Sequence, residues 1–117
     1  MARIAMILKR APYGDVAAAE AVRHALGAAS QELGVDLILW GGGVQLARTG
    51  QDEGGTGYTN LEGSLKDCLE MGVAVHAEAS ALARHGIAGP DLLAGVAPIG
   101  AREMARLVKD AGWTLIF

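Results

Sequence analysis

Residues 72–87 read GVAVHAEASALARHGI, and the order of elements within this stretch decides the fold. The run VAVHA, residues 73–77, has the length and apolar content of a buried strand. It passes without a break into an Ala-rich helix from about Glu78 to His85, which Gly86 stops. At the junction stand His76 and Glu78. A strand that feeds a helix is the unit from which parallel sheets are built. In an open parallel sheet, ligands and chemistry gather at the carboxyl ends of the strands, so polar side chains at this junction are the first candidates for function.

The same unit recurs on both sides of this stretch. RIAMILK (3–9) is a short apolar strand, followed by the loop RAPYG (10–14). Asp15 is placed to cap a helix from Val16, in which Val22, Leu26, Ala29 and Leu33 share a face until Gly34 ends it. VDLILW (35–40) is a second buried strand, broken by Gly41 to Gly43. Residues 47–60, ARTGQDEGGTGYTN, form a polar, Gly-rich loop expected to be mobile. Asn60 is placed to cap a helix that carries Leu61, Leu65, Cys68 and Leu69 on one face. Further on, GVAPI (95–99) is a weaker strand because of Pro98. A helix from Ala101 to Ala111, with Met104, Leu107, Val108 and Ala111, leads to a last strand, WTLIF (113–117). The expectation is an α/β fold of one domain, residues 1–117, with three α/β/α layers around a mostly parallel five-stranded sheet. The strand order stays open.

Composition excludes several classes. With 51% hydrophobic and 20% charged residues over 117 positions, the chain has apolar material for a single core. Net charge is −3, and Lys and Arg are scattered singly, so no basic stripe offers itself to a phosphate backbone and no direct nucleic-acid partner is expected. The opening MARIAMILK is too short an apolar run for a signal peptide or a span, which points to a cytoplasmic protein without a membrane partner. One cysteine, Cys68, allows neither an intrachain disulfide nor a thiolate zinc cluster. His24, His76 and His85 fall on different elements without metal spacing, so neither a metal nor a cofactor is expected. His24 and His85 are read as solvated. WGGGVQ (40–45) is not a dinucleotide fingerprint, and its triple Gly reads as a tight turn.

The element order, the Pro-Tyr-Gly loop and the 72–87 stretch together resemble the DsrE/DsrF family of small sulfur-relay proteins, which includes the TusC and TusD type subunits of a tRNA thiolation relay. Gly72-Val73-Ala74-Val75 and Arg84-His85-Gly86-Ile87 match the family's segment around its third strand, and WTLIF is similar to its closing strand. The resemblance covers nearly the whole chain. It implies trimers or hexamers, of this chain alone or mixed with related subunits, and a protein donor or acceptor of sulfur as a further partner. It also implies a persulfide-forming cysteine at the strand-to-helix junction, where this sequence has Glu78. A helix N-terminus favours a thiolate and a carboxylate alike, but a carboxylate cannot hold sulfane sulfur.

Candidate site residues follow. Glu78 is either a ligand contact or an ordinary first-turn acid. His76 is either a pocket base or a hydrogen-bonded core histidine. Cys68 is either a displaced sulfur acceptor or, as its helical spacing favours, a core residue. Tyr13, with Gly14 and Arg10 of the same loop, is placed to wall a ligand pocket, although a Pro-Tyr-Gly turn has geometric reasons of its own. Three functions remain open: a non-catalytic or altered subunit of a sulfur-relay assembly, which is the preferred reading; a small-molecule-binding module at the edge of the sheet; and an enzyme in which Glu78 orients His76 as a base. With the family's cysteine missing, a stand-alone enzyme is not expected.

Overall fold

The computed structural model describes residues 3–51 and 60–117. Five strands, β1 (Arg3–Leu8), β2 (Gly34–Leu39), β3 (Ala74–Glu78), β4 (Ala97–Ile99) and β5 (Trp113–Ile116), form one sheet in the order β4-β3-β2-β1-β5. Every ladder is parallel. The helices are α1 (Ala17–Ser30), α2 (Leu61–Glu70), α3 (Ala79–Arg84) and α4 (Ala101–Asp110).

Apart from Arg3 and Asp36, β1 and β2 are apolar on both faces because each is covered on both faces. On one side, Met6, Leu8, Leu37, Leu39 and Val75 pack against α1, α2 and α3. The buried residues of α1, Ala18, Ala21, Val22 and Ala25, recur at helical spacing, and those of α2 are Leu61, Leu65 and Cys68. The Asn60 side chain accepts the Gly63 N–H at 3.2 Å and so caps α2 as its sequence position predicts. On the opposite side, Ala5, Ile7, Ile38 and Ile99 meet Met104, Leu107 and Val108 of α4. The layers are thus three.

The topology fixes where a site belongs. The chain steps from β1 to β4 in one direction, and α4 then returns it across the other face to β5 on the far side of β1. The connections that leave β3 and β4 therefore go to opposite faces, and the crevice beyond their carboxyl ends is the switch point of the sheet. Glu78, paired with Ile99 in the β3–β4 ladder, lies there.

Several boundaries differ from the sequence expectation. β3 runs one residue further, so Glu78 ends the strand instead of opening the helix. The β4 candidate shrinks to three residues, and Pro98 is accommodated because β4 is an edge strand. After β2, Gly41–Ala47 forms a 3-10 turn, longer than the tight turn that three glycines suggest. Gly43 has a steric reason: a Cβ there would lie 2.2 Å from the Leu8 carbonyl oxygen at the end of β1. Of the polar loop, residues 52–59 lie outside the described residues. Its start is tied down, since Thr49 N–H donates to Asp91 O and Leu93 N–H to Ala47 O, both at 2.8 Å, around a bridge between Arg48 and Leu92. That long-range tether left no periodic signal in the sequence. No described helix is long and apolar enough to cross a membrane.

Candidate functional site

At the switch point the Glu78 carboxylate is held from several sides. Its Oε1 accepts the Gly41 N–H at 2.9 Å, its Oε2 accepts the Ser80 hydroxyl at 2.9 Å, and the Arg84 guanidinium stands 3.8 Å away. Gly41 adopts φ +54°, a left-handed conformation that suits glycine and aims its N–H across the carboxyl end of β2 toward β3. Glu78 stands at the N-cap of α3, and its side chain makes no bond to that helix's backbone. Chemically, the arrangement is a cradle that satisfies an anion, and the anion is the chain's own carboxylate.

The β1–α1 loop builds a second feature at the same end of the sheet. Tyr13 donates its hydroxyl to Gln51 Oε1 at 2.9 Å and accepts the Leu61 N–H at 3.4 Å, so it links this loop to the start of α2. With Pro12, Gly14, Val16 and Leu61 it lines an open cleft of about 230 Å³. Arg10 pairs at 2.7 Å with Asp15, which also lines the cleft, while Asp15 accepts the Ala17 N–H at 2.7 Å as well. That backbone bond, and then Arg10, hold the Asp15 carboxyl below the usual range. Asp15 thus supports the start of α1, as expected, with the helix beginning one residue later than Val16.

Cys68 is fully buried between α2 and α1, with its Sγ 3.9 Å from the Val22 carbonyl oxygen. Burial first, and the neighbouring Asp67 charge second, push its thiol up to about 11. Access and thiolate character are both what a sulfur acceptor needs, and Cys68 has neither.

Comparison with known proteins agrees with this architecture over its full length. Residues 2–117 match the DsrE/DsrF-like family. The chain belongs to that family. Among solved structures it is similar to the ychN protein from E. coli, with a TM-score of 0.92, 26% identity and 100% coverage of both chains. A conserved protein of unknown function from Bacteroides thetaiotaomicron shares the fold at a TM-score of 0.68 and 16% identity, covering 97% of this chain and 94% of the other. An uncharacterized protein of Methanopyrus kandleri is 29% identical over 115 residues, which cover 97% of this chain and 93% of the relative.

In this DsrE/DsrF-like chain His76 and Glu78 are not a pair. His76 Nε2 lies 2.9 Å from Asp36 Oδ1, and Arg3 Nε donates to Asp36 Oδ2 at 2.9 Å, so the imidazole belongs to a chain of polar groups across β3, β2 and β1 on the α4 side of the sheet. Burial pushes the Asp36 carboxyl up, but the hydrogen bonds from Arg3 and His76 outweigh it and keep the group below the usual range. His76 Nδ1 is buried and has no hydrogen-bond partner among the described residues. The acid that orients His76 is therefore Asp36, which the junction-centred reading passed over. An aspartate inside the apolar run VDLILW was the available signal, since a buried charge is retained only with partners. His24 is exposed, as expected, and His85 is half-buried; His24 sits beside Phe117 with ring centroids 5.4 Å apart. Among the described residues no three His, Cys, Asp or Glu side chains are grouped to hold a metal.

Proposed function

We propose that this chain is a DsrE/DsrF-like subunit of intracellular, cytoplasmic sulfur metabolism that carries no sulfur itself and acts within an assembly whose cysteine-bearing member does. The observation that carries the reading is the state of its one cysteine: Cys68 is buried to zero exposure, with its thiol raised to about 11. The position at the end of β3, which in active relatives is expected to hold the persulfide cysteine, is taken here by Glu78, bound in place by Gly41, Ser80 and Arg84. A carboxylate keeps the anionic character of that position and removes its nucleophilic sulfur. Partners are a second copy or related family members, and a protein that gives or receives sulfur.

Intact mass after incubation with a cysteine desulfurase and cysteine tests this. Wild type and Cys68→Ser are expected to gain no sulfur that dithiothreitol removes, whereas Glu78→Cys is expected to gain it. A reducible sulfur on wild type that is lost in Cys68→Ser would falsify the reading. The cleft beside Tyr13 favours a second reading, a small-molecule-binding module without sulfur transfer. For that function, native mass of the purified protein should show a retained ligand that Tyr13→Ala loses.

A further inference from the structure

The cleft beside Tyr13 is uneven in charge. Pro12, Val16, Ala19 and Leu61 make its lining apolar, and among the described residues Asp15 is the one charged residue that lines it. Val16 is 75% exposed, an unusual state for a valine that packs against nothing but a cleft. A second hollow of about 290 Å³ shares Ala19 and Leu61 with the first and continues between α1 and α2 over Val22 and Leu26. Glu20 and Arg23, which also line that hollow, neutralise one another at 2.6 Å. The two hollows thus form one apolar trough with an acidic end at the β1–α1 loop.

Asp15 is kept as an anion by two partners of unequal permanence. Its Oδ1 accepts the Ala17 N–H and its Oδ2 accepts from Arg10, and these bonds, the backbone one first, hold the carboxyl below the usual range. The backbone N–H is fixed by the start of α1. The Arg10 side chain is 65% exposed and lines neither hollow, and an exposed pair of this kind is held weakly because water screens it. One cation beside Asp15 can therefore be exchanged for another. Tyr13 adds an aromatic residue to the same cleft, and aromatic rings attract cations.

We propose that this cleft takes a small organic cation with an apolar body, its ammonium group beside Asp15 in place of the Arg10 guanidinium and its hydrocarbon along Ala19 and Leu61. This rests on reading the cleft as a small-molecule site and names the class of ligand. An anionic head group would meet the Asp15 carboxylate, and a neutral one would forgo the one charge that the cleft offers. At about 230 Å³ the cleft lies below the usual range of drug-sized pockets, so the ligand is small.

Hexylammonium, hexanol and hexanoate share one body and differ in the head group. Titration of the intact chain with each, followed by the NMR amide signals of Gly14, Val16 and Ala19, tests the assignment. In wild type, hexylammonium is expected to bind about tenfold tighter than hexanol, with hexanoate the weakest. Asp15→Asn keeps a residue type that caps helices as well as Asp does, and it is expected to bring the three ligands within about twofold of one another. Arg10→Gln removes the competing cation and is expected to tighten hexylammonium about threefold, which is informative even where Asp15→Asn loosens the start of α1. Equal affinities in wild type, no binding of any of the three, a preference that survives Asp15→Asn, or an Arg10→Gln variant that binds hexylammonium no tighter overturns the assignment. Native mass separates it from the reading beneath it. A retained ligand that Tyr13→Ala loses, but that has no basic nitrogen, removes the cation alone; no retained ligand together with no binding of the three probes removes the binding module as well.

Discussion

On the α1 side of the sheet, Met6, Leu8, Leu37 and Leu39 are sealed under three helices and no charged group enters the cluster. On the α4 side one helix does the covering, none of its residues is fully buried, and the sheet itself carries Arg3, Asp36 and His76. The same five strands thus present one face that supplies the hydrophobic stabilisation and another that supplies charge and unfinished apolar surface. The largest test of that contrast is Leu37→Ala, which leaves a cavity in the sealed layer. It should cost about 2–5 kcal/mol of unfolding free energy in urea titration. A cost near zero would mean that this side is no better packed than the other.

On the α4 side the largest effect should come from Asp36→Asn, at about 3 kcal/mol, because it removes the buried carboxylate that the Arg3 guanidinium and the half-buried His76 imidazole share. Its pH dependence has a definite sign. The folded Asp36 carboxyl sits below its unfolded value, so its contribution is present above the unfolded carboxylate range, about pH 4, and is lost as pH falls through the folded value. Wild type and Asp36→Asn should therefore converge in stability as pH drops below about 4. A gap that stays constant through that range would show that the charge of Asp36 contributes nothing.

The sealed face was legible in the sequence and the polar one was not, for a physical reason. Leu61, Leu65 and Cys68 announce themselves by period, since burial under a helix needs neighbours on one stripe, whereas of the stripe read for α1 only Val22 is fully buried, beside Ala18, Ala21 and Ala25, and Leu33 lies beyond the end of the helix. The parallel α/β layers follow from those stripes and from short strands between them. The Arg3–Asp36–His76 chain depends on which strands are adjacent, and the order β4-β3-β2-β1-β5 is set by long-range packing that no local pattern records. At the candidate site the position of Glu78 was readable from the strand-to-helix junction. Its partner Gly41 was not, because it reaches Glu78 across the ladder between β2 and β3.

Glu78 closes the end that both faces share, and its removal should be milder than that of Asp36. Glu78→Ala deprives the Gly41 N–H and the Ser80 hydroxyl of their acceptor and should cost about 1–2 kcal/mol, while Glu78→Gln, which keeps an acceptor oxygen, should cost less. Equal costs for the two, measured by urea titration, would assign the role of Glu78 to its charge instead of its hydrogen bonds.

The smallest effect sharpens the contrast most. Met104, with Leu107 and Val108, is one of the apolar side chains of α4 that sit in the same cluster as Ile7 and Ile38, yet it remains partly exposed. In a monomer, Met104→Ala should cost only about 1 kcal/mol, since the solvent-facing part of the side chain has little packing to lose. If a second molecule completes this face, the cost should depend on protein concentration, because truncating Met104 then also weakens association. Urea titrations at two concentrations a hundredfold apart decide between these. A Met104→Ala penalty that grows with concentration means that the α4 side is finished by assembly, and one that stays fixed means that one helix is all the cover this face acquires.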